Sequence, residues 1–516
     1  MDGTGLRFPV SNHAVVIGAG LGGLSAAMRL GAKGYRVTIV DKLDRAGGRG
    51  SSISQEGHRF ALGPTIVTVP QVFEELWAAC GRSFHDDIDL QSLEPFYQIR
   101  WPDGSYFEAS GDTDKVLREI ERLSPSDTAG YLKFLKDSET RYWFGFENLG
   151  RRPLNKLWDL IKVLPRFAWL RADRSVYAHA AKRVRDERLR MALSFHPLFI
   201  GGDPFRVTSM YALVSHLEKA FGVHYAMGGV QAIADAMADV VNAQGGHIRY
   251  NTTVDEILIE SGRCTGIRLA GGERVKADVV ISNADAGHTY EHLMRTHVKK
   301  RWTSKRLKRT RWSMGLYVWY FGTKGTAKMW SDVGHHTILN GPRYGALVKD
   351  IFRKGILADD MSLYVHRPSR TDASVAPEGD DTFYVLSPVP HLGHDNPVDW
   401  EAEREPYRQK MLAMLEKELL PGLSAHLKTE LSFTPLEFRD RYLSPHGAGF
   451  SIEPRILQSA WFRPHNVSEE VPGLYLVGAG THPGAGLPGV VSSAEVLAKL
   501  VPDAAVETET LDMAAE

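Results

Sequence analysis

The sequence predicts an α/β protein with α+β insertions, and three observations predict it. An apolar run, His13 to Ile17, leads into a glycine cluster, an alanine- and leucine-rich segment to Lys33, and a second apolar run, Tyr35 to Val40. A third apolar run, Leu474 to Val477, leads into another glycine-rich turn far along the chain. Long stretches of different character separate them, so a sheet built from these runs is discontinuous in sequence.

The first unit reads as strand, tight turn, helix, strand, with Gly34 placed where a helix ends in a left-handed residue. Its turn, Gly18-Ala19-Gly20-Leu21-Gly22-Gly23, supplies GxGxxG at Gly18, Gly20 and Gly23. The first glycine permits the turn, the second lets backbone approach a pyrophosphate, and the third lets helix and strand pack closely. Asp41 closes the second strand 18 residues after Gly23, close to where a carboxylate meets the adenosine ribose. A lone GxGxxG is weak evidence, but strand, helix and acid in order make a Rossmann-like dinucleotide domain the expectation. A second glycine pair, in Ala46-Gly47-Gly48-Arg49, points to the longer FAD rather than a nicotinamide cofactor. Arg49 offers a guanidinium to the pyrophosphate or to a nearby carboxylate; the bland alternative is a surface arginine.

Further on, Ile248 to Tyr250, Thr253 to Glu260, Thr265 to Leu269 and Val279 to Ile281 read as strands around turn signals such as Gly271-Gly272. Residues from about Ser124 to Lys219 show Leu, Trp, Phe, Arg and Lys at helical spacing. Trp312 to Phe438 mixes strand-like runs with proline-rich loops. The expected division is an FAD-binding domain from 12–95, 225–295 and 440–502, a substrate-binding domain from 96–123 and 296–439, and a helical, membrane-docking lid at 124–224. After Leu474 to Val477, five glycines from Gly478 to Gly489 expose backbone N–H groups, and a helix is expected to begin near Gly489. Such a helix end suits a flavin edge that gains negative charge.

Composition narrows the partners. With 516 residues and an apolar fraction of 43%, the chain suffices for two or three domains. Lys plus Arg and Asp plus Glu both number 62, so no overall field draws nucleic acid, and membrane contact must be local. Cys80 and Cys264 form no metal-type cluster and no disulfide framework, which fits a reducing compartment, with cytoplasm as the default. Met1 to Val10 lacks a signal-peptide pattern, no stretch is apolar enough to span a bilayer, and the acidic tail after Asp503 is expected to fray. His196, His391 and His482 are expected to bond nearby backbone, and their spacing gives no metal site.

The C-terminal residues Gln458-Ser459-Ala460-Trp461-Phe462-Arg463-Pro464-His465-Asn466 and Gly478-Ala479-Gly480-Thr481-His482-Pro483-Gly484-Ala485-Gly486-Leu487-Pro488-Gly489 resemble the signature of the bacterial phytoene desaturase family, among the amine-oxidase-like flavoproteins. Phe195-His196, Gly201-Gly202-Asp203-Pro204-Phe205, Thr371 to Gly379 and Pro388 to Gly393 extend the resemblance to about His13 to Leu500. It implies non-covalent FAD held by Gly18, Gly20, Gly22, Gly23, Asp41, Lys42, Gly48, Arg49, Gly63, Pro64, Thr65, Gly478, Gly480, Gly489 and Val490, with Val254 at the adenine. It implies a colourless isoprenoid substrate such as 15-cis-phytoene, desaturated stepwise toward neurosporene or lycopene by hydride transfer to flavin N5, with oxygen or a quinone as terminal acceptor. Ala61 stands where the family usually has Asp, which leaves the desaturation pattern open. Asp159 aligns with an aspartate put forward in the family as an acid/base; a solvated acid on an amphipathic helix is the competing reading.

A membrane-soluble substrate implies docking at the inner or photosynthetic membrane. Leu154 to Leu170 places Leu154, Leu157, Trp158, Ile161 and Leu164 on one face among basic residues, with Pro165 expected to kink it. Lys299 to Trp312, with two tryptophans among basic residues, is a second candidate. The alternatives are a desaturase of a thirty-carbon or hydroxylated carotenoid, a flavin amine oxidase, and a prenyl-lipid carrier without flavin.

Overall fold

The computed structural model describes residues 12–504. Met1 to Val10, expected to lack a signal-peptide pattern, and the tail from residue 505 onward, expected to fray, lie outside the described residues. Five parallel strands form one sheet in the spatial order Leu474–Leu476, Val279–Ser282, His13–Ile17, Arg36–Val40 and His247–Arg249. Each is short and apolar at its centre. His13–Ile17 is buried along its whole length, as a central parallel strand covered on both faces must be.

Helix Leu21–Ala32 follows the first strand and buries Leu24, Ala26, Ala27, Met28 and Leu30. It packs against helix Leu487–Ala498, so the first and last segments of the sheet domain close on each other. Gly34 ends the first helix at φ +87°, as its position predicts. The C-terminal helix begins at Leu487 rather than near Gly489, because Gly486 at φ +97° turns the chain and Pro488 fits the first helical turn. Val254–Glu260, Arg263–Leu269 and Arg274–Lys276 form a separate antiparallel sheet beside the parallel one.

A seven-stranded mixed sheet occupies the other half of the molecule, in the order Leu427–Phe433, Gly315–Thr323, Asp381–Val389, Leu363–His366, His336–Leu339, Tyr97–Arg100 and Tyr106–Ala109. Gly315–Thr323 is buried at all nine positions, with its side chains divided between two cores. Val318 and Tyr320 join one cluster with Phe60, Tyr97, Phe195, Tyr364 and Tyr384. Tyr317, Trp319 and Phe321 join another with Trp400, Tyr407 and Met411 of helix Trp400–Glu418. The period of two along a strand thus serves both faces. Residues 124–224 contribute helices, among them Thr128–Tyr142, Leu157–Trp169 and Leu213–Phe221.

Candidate FAD and substrate site

The two glycine loops meet. A Cβ added to Gly22 would lie 3.1 Å from Gly478 Cα and 3.1 Å from Val490 Cγ1, so the fingerprint touches both the C-terminal loop and the helix behind it. Gly23 has the packing role expected of it, since a Cβ there would meet the Gly18 carbonyl oxygen at 2.0 Å. The second glycine pair joins the same cradle. Gly47 N–H donates to the Ala19 carbonyl at 2.9 Å, and a Cβ on Gly48 would sit 3.3 Å from Gly20 Cα.

One cavity of about 550 Å³ runs along this cradle and continues between the two large sheets. Gly18, Gly20, Gly22, Asp41, Lys42, Gly48, Arg49, Gly63, Pro64, Thr65, Val254, Gly478, Gly480, Gly489 and Val490 all line it. Of the residues expected at the cofactor, Gly23 alone stands behind the lining. Asp41 Oδ2 accepts the Ala19 N–H at 2.6 Å and Oδ1 accepts the Leu43 N–H at 2.7 Å; burial pushes its pKa up while these donors oppose the shift. Arg49 is no surface arginine. Its Nη2 donates to Ser444 Oγ at 3.0 Å, and desolvation lowers its pKa against the pull of the Asp285 carboxylate. Ala61, on strand His58–Ala61, is outside the lining.

Two contributors escaped the sequence reading. Asn283, directly after strand Val279–Ser282, lies between the loops: Cβ atoms on Gly22 and Gly478 would meet its Oδ1 at 2.5 and 2.7 Å, and one on Gly20 would meet its Nδ2 at 2.9 Å. A polar residue at the carboxyl end of a parallel strand was the available signal. Arg463, buried, donates to the carbonyls of Ile452 at 2.8 Å and Ala479 at 3.0 Å, fixing the C-terminal loop from behind. The cradle has no room for side chains where backbone must approach a ligand, and it presents N–H groups from three stretches of chain. These residues fit an extended dinucleotide such as FAD.

Away from the glycines the walls turn apolar, with Phe146, Phe199, Met210, Leu217, Leu316 and Tyr384 among the lining. Thr65 and Tyr364 mark the transition, their hydroxyls 2.5 Å apart. Asp159 is elsewhere. It sits in the first turn of helix Leu157–Trp169, where its Oδ2 accepts the Lys156 N–H at 3.0 Å, and it does not line the cavity.

The histidines fall into two groups. His391 accepts the Gly393 N–H at 2.9 Å and His482 Nε2 lies 3.0 Å from the Leu149 carbonyl, as expected. His196 departs from that expectation: it bonds side chains, with Nε2 3.1 Å from Glu218 Oε2 and 3.2 Å from the Tyr97 hydroxyl. Spacing gave no sign of a metal-type cluster, yet the fold gathers His335, His336 and His366, with ring nitrogens within 4.8 Å of one another. The cause is strand pairing, which sets His336 opposite His366. His366 Nε2 and His335 Nε2 are 3.0 Å apart, and Tyr364 OH lies 2.7 Å from His336 Nδ1. Burial drives all three pKa values down, His335 to about 3, so they are neutral at pH 7.

Residues 21–501 match the family model for flavin-containing amine oxidoreductase. A phytoene desaturase (neurosporene-forming) of Cereibacter sphaeroides is 69% identical over 494 residues, covering 96% of this chain and 95% of the relative. A second protein of that description, from Rhodobacter capsulatus, is 68% identical, covering 95% of this chain and 94% of the relative. Among solved structures, an oxidoreductase from Methanosarcina mazei superposes with a TM-score of 0.65 at 20% identity, covering 94% of this chain and all of that one. The chain therefore belongs to the flavin-containing amine oxidoreductase family and, within it, to the phytoene desaturases.

Proposed function

We propose that this protein is an FAD-dependent desaturase that converts phytoene by successive dehydrogenations to neurosporene in carotenoid biosynthesis. One observation carries the reading: a glycine cradle suited to an entire FAD opens directly into an apolar passage. The neurosporene end point is taken from the two relatives at 69% and 68% identity. FAD, when bound, supplies a two-electron acceptor for the hydride that leaves the hydrocarbon. The chain binds and orients. Gly18, Gly20, Gly22, Gly48, Gly478, Gly480 and Gly489 give close backbone, Gly23 lets helix and strand pack behind them, Asp41 and Val254 face the adenosine half, and Arg49 faces the pyrophosphate. Lys42, Gly63, Pro64, Thr65 and Val490 complete the wall.

A hydrocarbon has no polar handle, so affinity comes from apolar burial at about 0.8 kcal/mol per methylene. The same walls exclude water from the reacting carbons. Segments 12–95, 225–295 and 440–502 form the FAD domain in this reading, 96–123 and 296–439 the substrate domain, and 124–224 the lid.

The substrate arrives from a membrane. No described helix is long and apolar enough to cross one. On helix Leu157–Trp169, however, Leu157, Trp158, Ile161, Leu164 and Trp169 are all exposed, with Trp169 at 64%. Lys162 lies over the Trp158 ring and Arg166 over Trp169. Phe167 of the same helix lines the cavity. We place this helix in the interface of the inner or photosynthetic membrane, on the cytoplasmic side, feeding the passage. Oxygen or a quinone reoxidises the cofactor.

Incubation with phytoene, FAD and lipid vesicles tests the reading. The product spectrum is expected to gain the bands of nine conjugated double bonds, the length of the neurosporene chromophore. An unchanged spectrum with FAD bound would overturn it. Repeating the assay without oxygen, with and without an added quinone, identifies the acceptor.

A further inference from the structure

Removing hydrogen from a CH–CH unit frees a proton as well as a hydride, and the passage is apolar nearly throughout. A carboxyl and an imidazole stand on its wall. Glu218, on helix Leu213–Phe221, and His196, which starts the short helix His196–Ile200, both line the cavity; Tyr97, on strand Tyr97–Arg100, stands behind them. Tyr97 OH donates to Glu218 Oε2 at 2.8 Å, and His196 Nε2 lies 3.1 Å from the same oxygen. Both contacts fall on Oε2, so Oε1 has no hydrogen-bond partner among the described residues. Glu218 is 7% exposed, and among the described residues its ion-pair partner is His196, with no lysine or arginine. A carboxyl group this enclosed, on the wall of an apolar passage and with one oxygen free of protein partners, points to a chemical role rather than a packing one.

The position also suits the chemistry. One turn along from His196, Phe199 packs edge-on to Tyr364, whose hydroxyl bonds Thr65 beside the cradle. Ile200 Cγ2 lies 3.5 Å from where a Cβ on Gly486 would be, so the short helix abuts the C-terminal loop. The pair therefore stands on the passage wall, about one helical turn from the cofactor end.

We propose that Glu218, held by His196 and Tyr97, receives the proton released in each desaturation; this rests on the desaturase reading above. The hydride leaves one carbon with two electrons for the bound FAD. The C–H bond on the neighbouring carbon then breaks, its electron pair becomes the second bond of the new alkene, and its proton bonds to Glu218 Oε1. While charge is positive on the hydrocarbon, the carboxylate also stabilises it. The titratable groups facing Glu218 are His196, Tyr97 and Tyr131, and burial with the nearby Glu218 charge keeps both tyrosines protonated.

Glu218→Gln keeps the shape and the contact with Tyr97 but removes the acceptor. Its FAD uptake, read by flavin fluorescence, and phytoene retention by the apoprotein on gel filtration should stay within about twofold of wild type. Anaerobic bleaching of the flavin by phytoene should slow by about 10²–10⁴-fold, with partial recovery in Glu218→Asp. In apoprotein carrying labelled histidine at one fixed pH, the His196 ring-nitrogen resonance should move in Glu218→Gln, because the group 3.1 Å from its Nε2 changes from a carboxyl to an amide. His196→Gln should shift the acidic limb of the rate profile. Wild-type bleaching in Glu218→Gln, or a rate loss matched by lost uptake of FAD or phytoene, would overturn the proposal. Failure of the wild-type protein itself to desaturate phytoene would instead overturn the desaturase reading.

Discussion

Two segments of this chain combine tryptophan with lysine and arginine, and they end in opposite surroundings. Helix Leu157–Trp169 exposes Trp158 and Trp169, whereas residues 299–312 bury Trp302 and Trp312 to 3% and 6% exposure. The second segment, expected as a possible membrane contact, is thereby corrected to a packed one. The difference lies in the partners. Glu470 accepts the backbone N–H groups of Lys300, Arg301 and Trp302, Glu469 accepts Trp302 Nε1–H, and Arg306 covers the Trp302 ring at 3.8 Å. Among the described residues, no acidic segment folds over the first helix in this way. Composition alone does not separate an interfacial helix from an anchored loop; what matters is whether a distant piece of chain supplies acceptors.

The comparison can be broken most sharply at Trp302. Trp302→Ala is expected to cost about 3–5 kcal/mol of stability, read in chemical denaturation, with vesicle binding of the folded protein unchanged. Next in size, Leu157→Glu combined with Ile161→Glu should weaken vesicle binding about a hundredfold in a flotation assay while stability moves by less than ~0.5 kcal/mol. A large loss of stability in that double variant would mean the helix packs rather than docks. Glu469→Gln should cost about 1–3 kcal/mol, since it weakens the acceptor for Trp302 and Tyr290.

Acid gives the smallest and most selective effect. His465 lies in the same anchor, with Nδ1 3.3 Å from Glu469, and burial lowers its pKa below the ordinary 6.5. The unfolded chain therefore binds more protons below pH 6.5, and stability contributed by neutral His465 falls as pH drops from that value toward its folded pKa. The slope is at most about 1.4 kcal/mol per pH unit. His465→Gln should flatten the stability profile between pH 7 and 5, with vesicle binding through the other helix unaffected.

The sequence displayed the cofactor cradle better than the passage. Glycines at Gly18 to Gly23 and Gly478 to Gly489 are legible because close approach of backbone requires the absence of a side chain, and that absence shows in the letters themselves. Leu154 was placed on the exposed face but is buried ahead of the helix, which begins at Leu157. Asn283 was missed because its role depends on two loops that meet only in the fold. Glu218 was missed for a related reason: on an amphipathic helix between Leu217 and Lys219 it reads as a surface acid, and only the approach of strand Tyr97–Arg100 and His196 encloses it. The histidine cluster likewise exists through strand register. Asp159, chosen on resemblance, caps its own helix.

The parallel sheet has one further consequence, for synthesis. Strand Leu474–Leu476 and helix Leu487–Ala498 supply an edge of the sheet and one wall of the cradle, against a fingerprint translated near the start. A nascent chain still lacking residue 490 has the first glycines with Gly48 and Asn283 beside them, but not the wall that closes the cradle on Gly22. Cofactor capture must then wait until translation is nearly over, and a cell short of FAD would accumulate finished polypeptide rather than stalled intermediates.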